Sequence, residues 1–276
     1  MKNHIAFPGL GIELDINRVA FEIFDKPIYW YAIIIASGFL LAVYYGMKRS
    51  REFNLDEDNI TGMLMVAAPL AIVCARLYYV IFEFDQYKDD LLSILYIWNG
   101  GIAIYGAIIG ALLGVIIYCS FKKMKIRNFL DIGALGLMIG QSVGRWGNFV
   151  NAEAYGGETS LLWRMEIYDA AARARICVHP TFLYESLWNM LGFVILHFYS
   201  KKRKFNGEVF CLYVLWYGIG RAMIEGLRTD SLYFFGTGIR TSQMLAILTA
   251  LAAVVVLVYN YKKIKSEVKT NECSNN

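Results

Sequence analysis

The sequence predicts an all-α, polytopic integral membrane protein with seven transmembrane helices, its N-terminus outside, its C-terminus cytoplasmic, and a small extracytoplasmic subdomain. Three observations predict it. Hydrophobic residues fill 57% of the 276 positions and charged ones only 18%, with a mean hydropathy of +0.43, outside the range of ordinary soluble domains. Seven mostly apolar runs come close to the ~20 residues that a helix needs to cross a hydrocarbon core of ~30 Å. The segments between them alternate between strongly and weakly basic, as the bias of Lys and Arg toward cytoplasmic loops requires.

The first 27 residues are mixed and charged, with no basic start, apolar centre and small-residue cleavage site, so no removable signal peptide is expected. The runs then lie at about residues 28–47, 61–82, 101–121, 131–149, 182–200, 208–226 and 241–261. KRSR (48–51), KKMKIR (122–127), KKRK (201–204) and KKIK (262–265) with Lys269 mark the cytoplasmic side. Residues 1–261 therefore read as one membrane domain, with an extracytoplasmic segment near 150–180 as the only loop long enough to carry its own structure. Residues 262–276 read as a polar cytoplasmic tail, expected to be disordered.

Glycines recur every four residues in the third run (Gly106, Gly110, Gly114) and the fourth (Gly136, Gly140, Gly144), a spacing that lets helices approach closely in lipid. Five cysteines are scattered without metal-ligand or disulfide spacing, so no metal and no cofactor are expected. No basic stripe with interleaved aromatics points to nucleic acid.

Ionisable residues inside spans carry the functional signal, because an arginine at mid-bilayer costs about 2.5–3.5 kcal/mol and is kept facing a cavity or a partner. Tyr217, Arg221 and Glu225 stand at i, i+4 and i+8, with Arg228 three further on, so they share one helix face. Gln141, Arg145 and Asn148 make a second stripe on the fourth run, continued past its end by Asn151 and Glu153. The two stripes are expected to share one chamber. A simple i, i+4 neutralisation of Arg221 by Glu225 is the structural alternative. Arg76 is a secondary candidate, whose alternative is snorkelling to the interface. His179 and Glu185 in "HPTFLYE" decide nothing alone.

The stretch "GRWGNFVNAEAYG" (144–156), with eight specified positions in thirteen, resembles the signature of the prolipoprotein diacylglyceryl transferases. Further similar stretches are "WYA" (30–32), "NGGIAIYGAIIGA" (99–111), "HPTFLYE" (179–185) and "WYGIGRAMIEGLRTD" (216–230). The resemblance implies a bacterial enzyme of the cytoplasmic (inner) membrane, working toward the outer leaflet. It moves the diacylglyceryl group of phosphatidylglycerol to the lipobox cysteine thiol of a preprolipoprotein and releases glycerol 1-phosphate. Its partners are then that lipid, lipobox signal peptides and membrane lipids, with no nucleic acid.

The resemblance also assigns residues. Arg145 and Arg221 become the arginines of the headgroup and the departing phosphate, Asn148 and Asn151 polar positioners, and Glu153 and Glu225 the groups that hold the arginines or glycerol hydroxyls. Tyr31 and Tyr217 match site positions, Gly156 closes the signature turn, and Arg228 is a further contact. Where some members carry a histidine assigned to the thiol proton, this chain has Tyr105. A phenol is a weak base at neutral pH, so Tyr105 is expected to relay a proton or bond the phosphate. The rival classes are a transporter or flippase, against which the absence of an internal repeat speaks, and an intramembrane protease, against which the lack of its motifs speaks.

Overall fold

The computed structural model describes residues 2–169, 173–229 and 240–274. Among them, seven helices of 18 residues or more follow the seven apolar runs: α1 (Trp30–Arg49), α2 (Glu57–Phe82), α3 (Ile104–Lys122), α4 (Ile126–Asn151), α5 (Thr181–Tyr199), α6 (Glu208–Glu225) and α7 (Thr241–Ser274). Among the described residues, four segments are long and apolar enough to cross a membrane: Trp30–Phe53, Glu57–Phe82, Ile104–Lys122 and Thr241–Glu267. The other three helices, α4, α5 and α6, carry the buried charges described below. The chain divides into two compact units, Met1–Tyr45 with Gly133–Asn276, and Gly46–Ile132.

The larger unit adds strands that composition did not suggest. β1 (Lys2–Phe7) pairs antiparallel with β2 (Ile12–Asn17), from Lys2 opposite Asn17 to Phe7 opposite Ile12. On its other side β1 meets β5 (Met165–Asp169), Ile5 opposite Ile167, and β5 meets β6 (Ala174–Val178). The strands of the 150–180 segment are thus not a sheet of their own: the first residues of the chain complete it, in the order β2-β1-β5-β6. Apolar residues alternate along these strands, and Ile5, Met165, Ile167 and Val178 are buried against Phe149 of α4 and Phe182 of α5. A second hairpin, β3 (Val19–Ile23) and β4 (Lys26–Tyr29), turns through Phe24 and Asp25, both at positive φ, and runs into α1.

Helices in this unit are registered by small residues and reciprocal polar contacts. Gly38 of α1 faces Val143 of α4, and a side chain at Gly147 would strike the Tyr31 ring at 2.9 Å. Trp188 of α5 and Trp216 of α6 stack at 4.5 Å, each indole N–H donating at 3.0 Å to the other's backbone carbonyl. Each indole also fills the space left by a glycine on the opposite helix: a Cβ at Gly220 would lie 2.1 Å from Trp188 Nε1, and one at Gly192 2.3 Å from Trp216 Nε1. At the other end of α6, the buried carboxylate of Glu208 accepts from Tyr199 and Tyr261, tying α5, α6 and α7. α7 continues as one helix through Ser274, beyond the point where disorder was expected.

In the smaller unit α2 and α3 pack face to face through the expected glycines. Cβ atoms at Gly106 and Gly110 would lie 2.3 Å from the carbonyls of Cys74 and Leu70, and one at Gly114 would lie 2.4 Å from Ala67 Cα. The glycines of α4 behave differently: a Cβ at Gly136 would lie 3.5 Å from Ala42 Cβ, one at Gly144 3.2 Å from Ile35 Cδ1, and one at Gly140 would meet no described atom within 4 Å. The same spacing therefore brings backbone against backbone in α3, whereas the atoms nearest the glycines of α4 are side chains.

Candidate active site

The site is built where α4 and α6 end and α5 begins, beside the sheet. α4 stops because Ala152 and Ala154 adopt positive φ (52° and 55°), a conformation that costs an L-residue about 1–2 kcal/mol. The reversal folds Glu153 back, so that its amide donates to the Asn148 carbonyl at 3.0 Å while its carboxylate accepts from the Asn148 side chain at 2.9 Å. Asn148 Oδ1 in turn accepts from Arg145 at 3.2 Å. Gly156 then fits where nothing larger does, 2.7 Å from His179 Cβ and 3.0 Å from the Leu227 carbonyl when a Cβ is added. There the chain bridges to Arg228, just past α6, while the Gly156 amide donates to the His179 carbonyl at 3.0 Å.

Glu185 of α5 stands at the centre. Its carboxylate is 5% exposed and meets three guanidiniums: Arg145 of α4 on Oε2, Arg221 at 3.5 Å and Arg228 at 3.4 Å on Oε1. Arg221 also pairs with Glu225 one turn on, which is 1% exposed and accepts from Ser242 at 2.6 Å, while Arg240 donates to its backbone carbonyl. Arg221 therefore bridges two carboxylates, and the simple i, i+4 pair is only part of its environment. Three guanidiniums against two carboxylates leave one surplus positive charge among these five side chains. A cavity of about 10 Å³, room for one water, lies here against Glu185, Arg221, Asn189 and Tyr217.

The sequence pattern of the family described as Prolipoprotein diacylglyceryl transferase matches residues 18–259. The chain belongs to this family. It is 40% identical over 93% of its length to the phosphatidylglycerol–prolipoprotein diacylglyceryl transferase of Lysinibacillus sphaericus, covering 96% of that protein. It is 45% identical over 90% of its length to that of Streptococcus agalactiae, covering 97% of it. The figure for the protein of the same name from Oceanobacillus iheyensis is 44%, with 90% of each chain covered.

Of the residues singled out from the diacylglyceryl transferase signature, the structure joins Arg145, Asn148 and Glu153 in one chain of contacts, and Arg145, Arg221, Glu225 and Arg228 in another through Glu185. Tyr217 lines the small cavity, and Tyr31 packs on Gly147. Asn151 contributes its backbone carbonyl, which accepts from Arg18 at 2.7 Å. Gln141 donates to Tyr213 at 2.9 Å. Tyr105 belongs to the smaller unit, in the first turn of α3, its ring 6.3 Å from that of Tyr78. Asp230, the last residue of the "WYGIGRAMIEGLRTD" stretch, lies outside the described residues.

Among the described residues, Arg76 faces no acid but a ring of backbone carbonyls. In the smaller unit its guanidinium is 6% exposed and donates to the carbonyls of Ile94 (2.8 Å), Ser93 (2.8 Å), Gly100 (2.7 Å) and Gly101 (2.8 Å) and to the Tyr87 hydroxyl (3.0 Å). It pins the loop between α2 and α3. Glu185, which the sequence left undecided, has partners 36 to 43 positions away, and Arg240 is a residue that sequence reasoning did not reach.

Proposed function

We propose that this chain transfers the diacylglyceryl group of phosphatidylglycerol to the lipobox cysteine of a preprolipoprotein, releasing glycerol 1-phosphate. Membership of the family and the relatives' names support the activity. The observation that carries the site is the convergence of Arg145, Arg221 and Arg228 on Glu185.

In the reaction, the cysteine sulfur attacks the glycerol carbon that bears the phosphate, a C–S bond forms as the C–O bond breaks, and the phosphate oxygen leaves with the electron pair. Negative charge grows on that phosphate in the transition state, and fixed guanidinium donors in a dry site stabilise it without reorganising. Arg145 and Arg221 are assigned to that phosphate, with Arg228 as a third contact. Glu185 and Glu225 hold the arginines apart and aimed. Asn148 and Asn151 position the headgroup, Glu153 acts through Asn148, Tyr31 and Tyr217 line the site, and Gly156 fixes its edge. The thiol is mostly protonated at neutral pH, and the arginines favour its thiolate while water, a carboxylate or Tyr105 takes or relays the proton.

The same reading places the chain in the bacterial cytoplasmic membrane as seven spans within residues 1–261, N-terminus outside, with 262–276 as a cytoplasmic tail and the site toward the outer leaflet. Strand pairing supports it. β1 and β5 share a sheet although four helices separate them, and Gly156 bridges to Arg228 across two more. Even numbers of crossings put all these segments on one side.

The test is a mass spectrum of a lipobox peptide incubated with the purified chain and phosphatidylglycerol, with a cysteine-to-serine peptide as control. A diacylglyceryl mass gain on the cysteine peptide alone, with glycerol 1-phosphate released in step, is the expected result. Lipid binding or movement without either product would sink the proposal in favour of a transporter or flippase.

A further inference from the structure

We infer that Arg18 is a positioning residue for the transfer reaction: set against the C-terminus of α4, it offsets the negative end of the helix that carries Arg145 and Asn148, and so favours an anionic headgroup there. This rests on the diacylglyceryl-transfer reading above.

An α-helix leaves its last four backbone carbonyls without partners inside the helix, and in α4 all four can be followed. The Asn148 and Phe149 carbonyls accept from the amides of Glu153 and Ala152, both at 3.0 Å, as the chain reverses. The Val150 carbonyl accepts from the Asn3 side chain at 2.8 Å, and the Asn151 carbonyl from Arg18 Nη2 at 2.7 Å. Two of the four caps therefore come from the first 18 residues of the chain, 147 and 133 positions away.

Of these caps only Arg18 is charged. It lies between β2 and β3, half-buried, and its carbonyl accepts from the Trp30 amide at 3.0 Å, which holds its backbone where the chain enters α1. Among the described residues it forms no ion pair, and its buried Nε has no hydrogen-bond partner. A cap that served stability alone would not strand a buried donor. Asn3, one carbonyl away, does the same work with an uncharged amide. What the guanidinium adds is charge.

Charge matters at this spot. The carbonyl end of a helix carries about −0.5 of an elementary charge, and in α4 that end lies within two turns of Arg145. The reading above sets the lipid phosphate against Arg145. That phosphate carries one negative charge as a diester and gains a second as the C–O bond breaks and a monoester departs. An unopposed helix end would repel it, and would do so more strongly in the transition state. Arg18 cancels that repulsion through the end of α4, without touching the substrate.

The experiment follows transfer to a lipobox peptide by the full-length chain in mixed micelles of detergent and phosphatidylglycerol, with glycerol 1-phosphate as a competing anion. KM and the inhibition constant carry the test, since neither depends on how much of a variant folds. Arg18→Gln keeps a donor and removes the charge. It is expected to raise KM for phosphatidylglycerol by about threefold and to lower kcat by about threefold, the scale of one charge at a helix end. The inhibition constant of glycerol 1-phosphate, with nearly two negative charges at neutral pH, should rise by about tenfold, as much as kcat/KM falls. Arg18→Lys is expected to stay within about twofold of wild type. Asn3→Ala, which removes only a neutral cap, should lower the unfolding temperature and leave KM unchanged. An unchanged KM and inhibition constant in Arg18→Gln, an equal rise in Asn3→Ala, or an equal loss in Arg18→Lys overturns the role of Arg18 alone. No transfer by the wild-type chain overturns the transfer reading, and this inference with it.

Discussion

Ser142 of α4 and Ser186 of α5 each donate a hydroxyl hydrogen bond to the other's backbone carbonyl, both at 2.9 Å, with the two hydroxyl oxygens 3.2 Å apart. Trp146 Nε1 adds a third bond, to Ser186 Oγ at 3.2 Å. The pair is buried, and it sets the register that brings Arg145, three residues past Ser142, to Glu185, the neighbour of Ser186. Ser186→Ala leaves the Ser142 carbonyl and the Trp146 indole short of partners, at about 1–3 kcal/mol of stability. Thermal unfolding in detergent should show the loss, and the Ser142→Ala/Ser186→Ala double variant should lose less than the sum of the singles.

Glu185→Gln removes one of two carboxylates from among three arginines. Breaking a buried ion pair from one side costs about 3–5 kcal/mol, so this variant is expected to unfold at a lower temperature. Its transfer rate should fall by about a hundredfold, since aligned donors are worth 10²–10³ each at a developing anion. Glu185→Asp should recover part of that rate. A Glu185→Gln variant as fast as wild type would remove Glu185 from the mechanism.

Arg145→Lys keeps the charge and loses the planar fork. The expected signature is a drop in kcat of about tenfold or more with a smaller change in KM for phosphatidylglycerol, because the fork matters most as phosphate charge grows. If Arg145→Lys were fully active while Tyr105→Phe was inactive, the proton would have to travel through Tyr105 and the arginine assignment would fall.

Gly220→Ala places a methyl group 2.1 Å from Trp188 Nε1. Such overpacking costs about 1–3 kcal/mol, and it acts one residue from Arg221. Trp188→Leu should relieve it: the double variant is expected to be more stable than the two single losses predict, by about 1 kcal/mol or more. Strict additivity would mean that the tryptophan and the glycine do not hold the helices together.

Gly156→Ala has no comparable escape, because its Cβ would meet His179 Cβ at 2.7 Å and the Leu227 carbonyl at 3.0 Å. The strand-like bridge to Arg228 should open, and activity should fall more steeply than thermal stability. Parallel measurement of both checks this.

The helices were legible because hydropathy acts locally, each apolar run declaring itself without reference to its neighbours. Arg221 and Glu225 were legible for the same reason, as an ion pair one turn apart on a single helix. Glu185 was not. Its three cations come from two other helices and a loop, and nothing within a turn of it marks the partnership. Arg76 was opaque in another way, since four of its partners are backbone carbonyls, which every residue type carries. The divergent packing of the α3 and α4 glycines shows that small-residue spacing permits close approach without requiring it.

The sheet has a consequence for how the molecule is made. β1 forms a hairpin with β2 at once, but its other edge waits for β5, about 160 residues later, which at ~5–20 residues per second is roughly 8–30 s of synthesis. Through that interval four helices are synthesised while an open strand edge stays exposed, the kind of edge that recruits wrong partners. Translation speed and whatever guards the nascent N-terminal hairpin therefore bear on yield, and a bulky fusion on Lys2–Phe7 is expected to harm biogenesis more than one placed after α7.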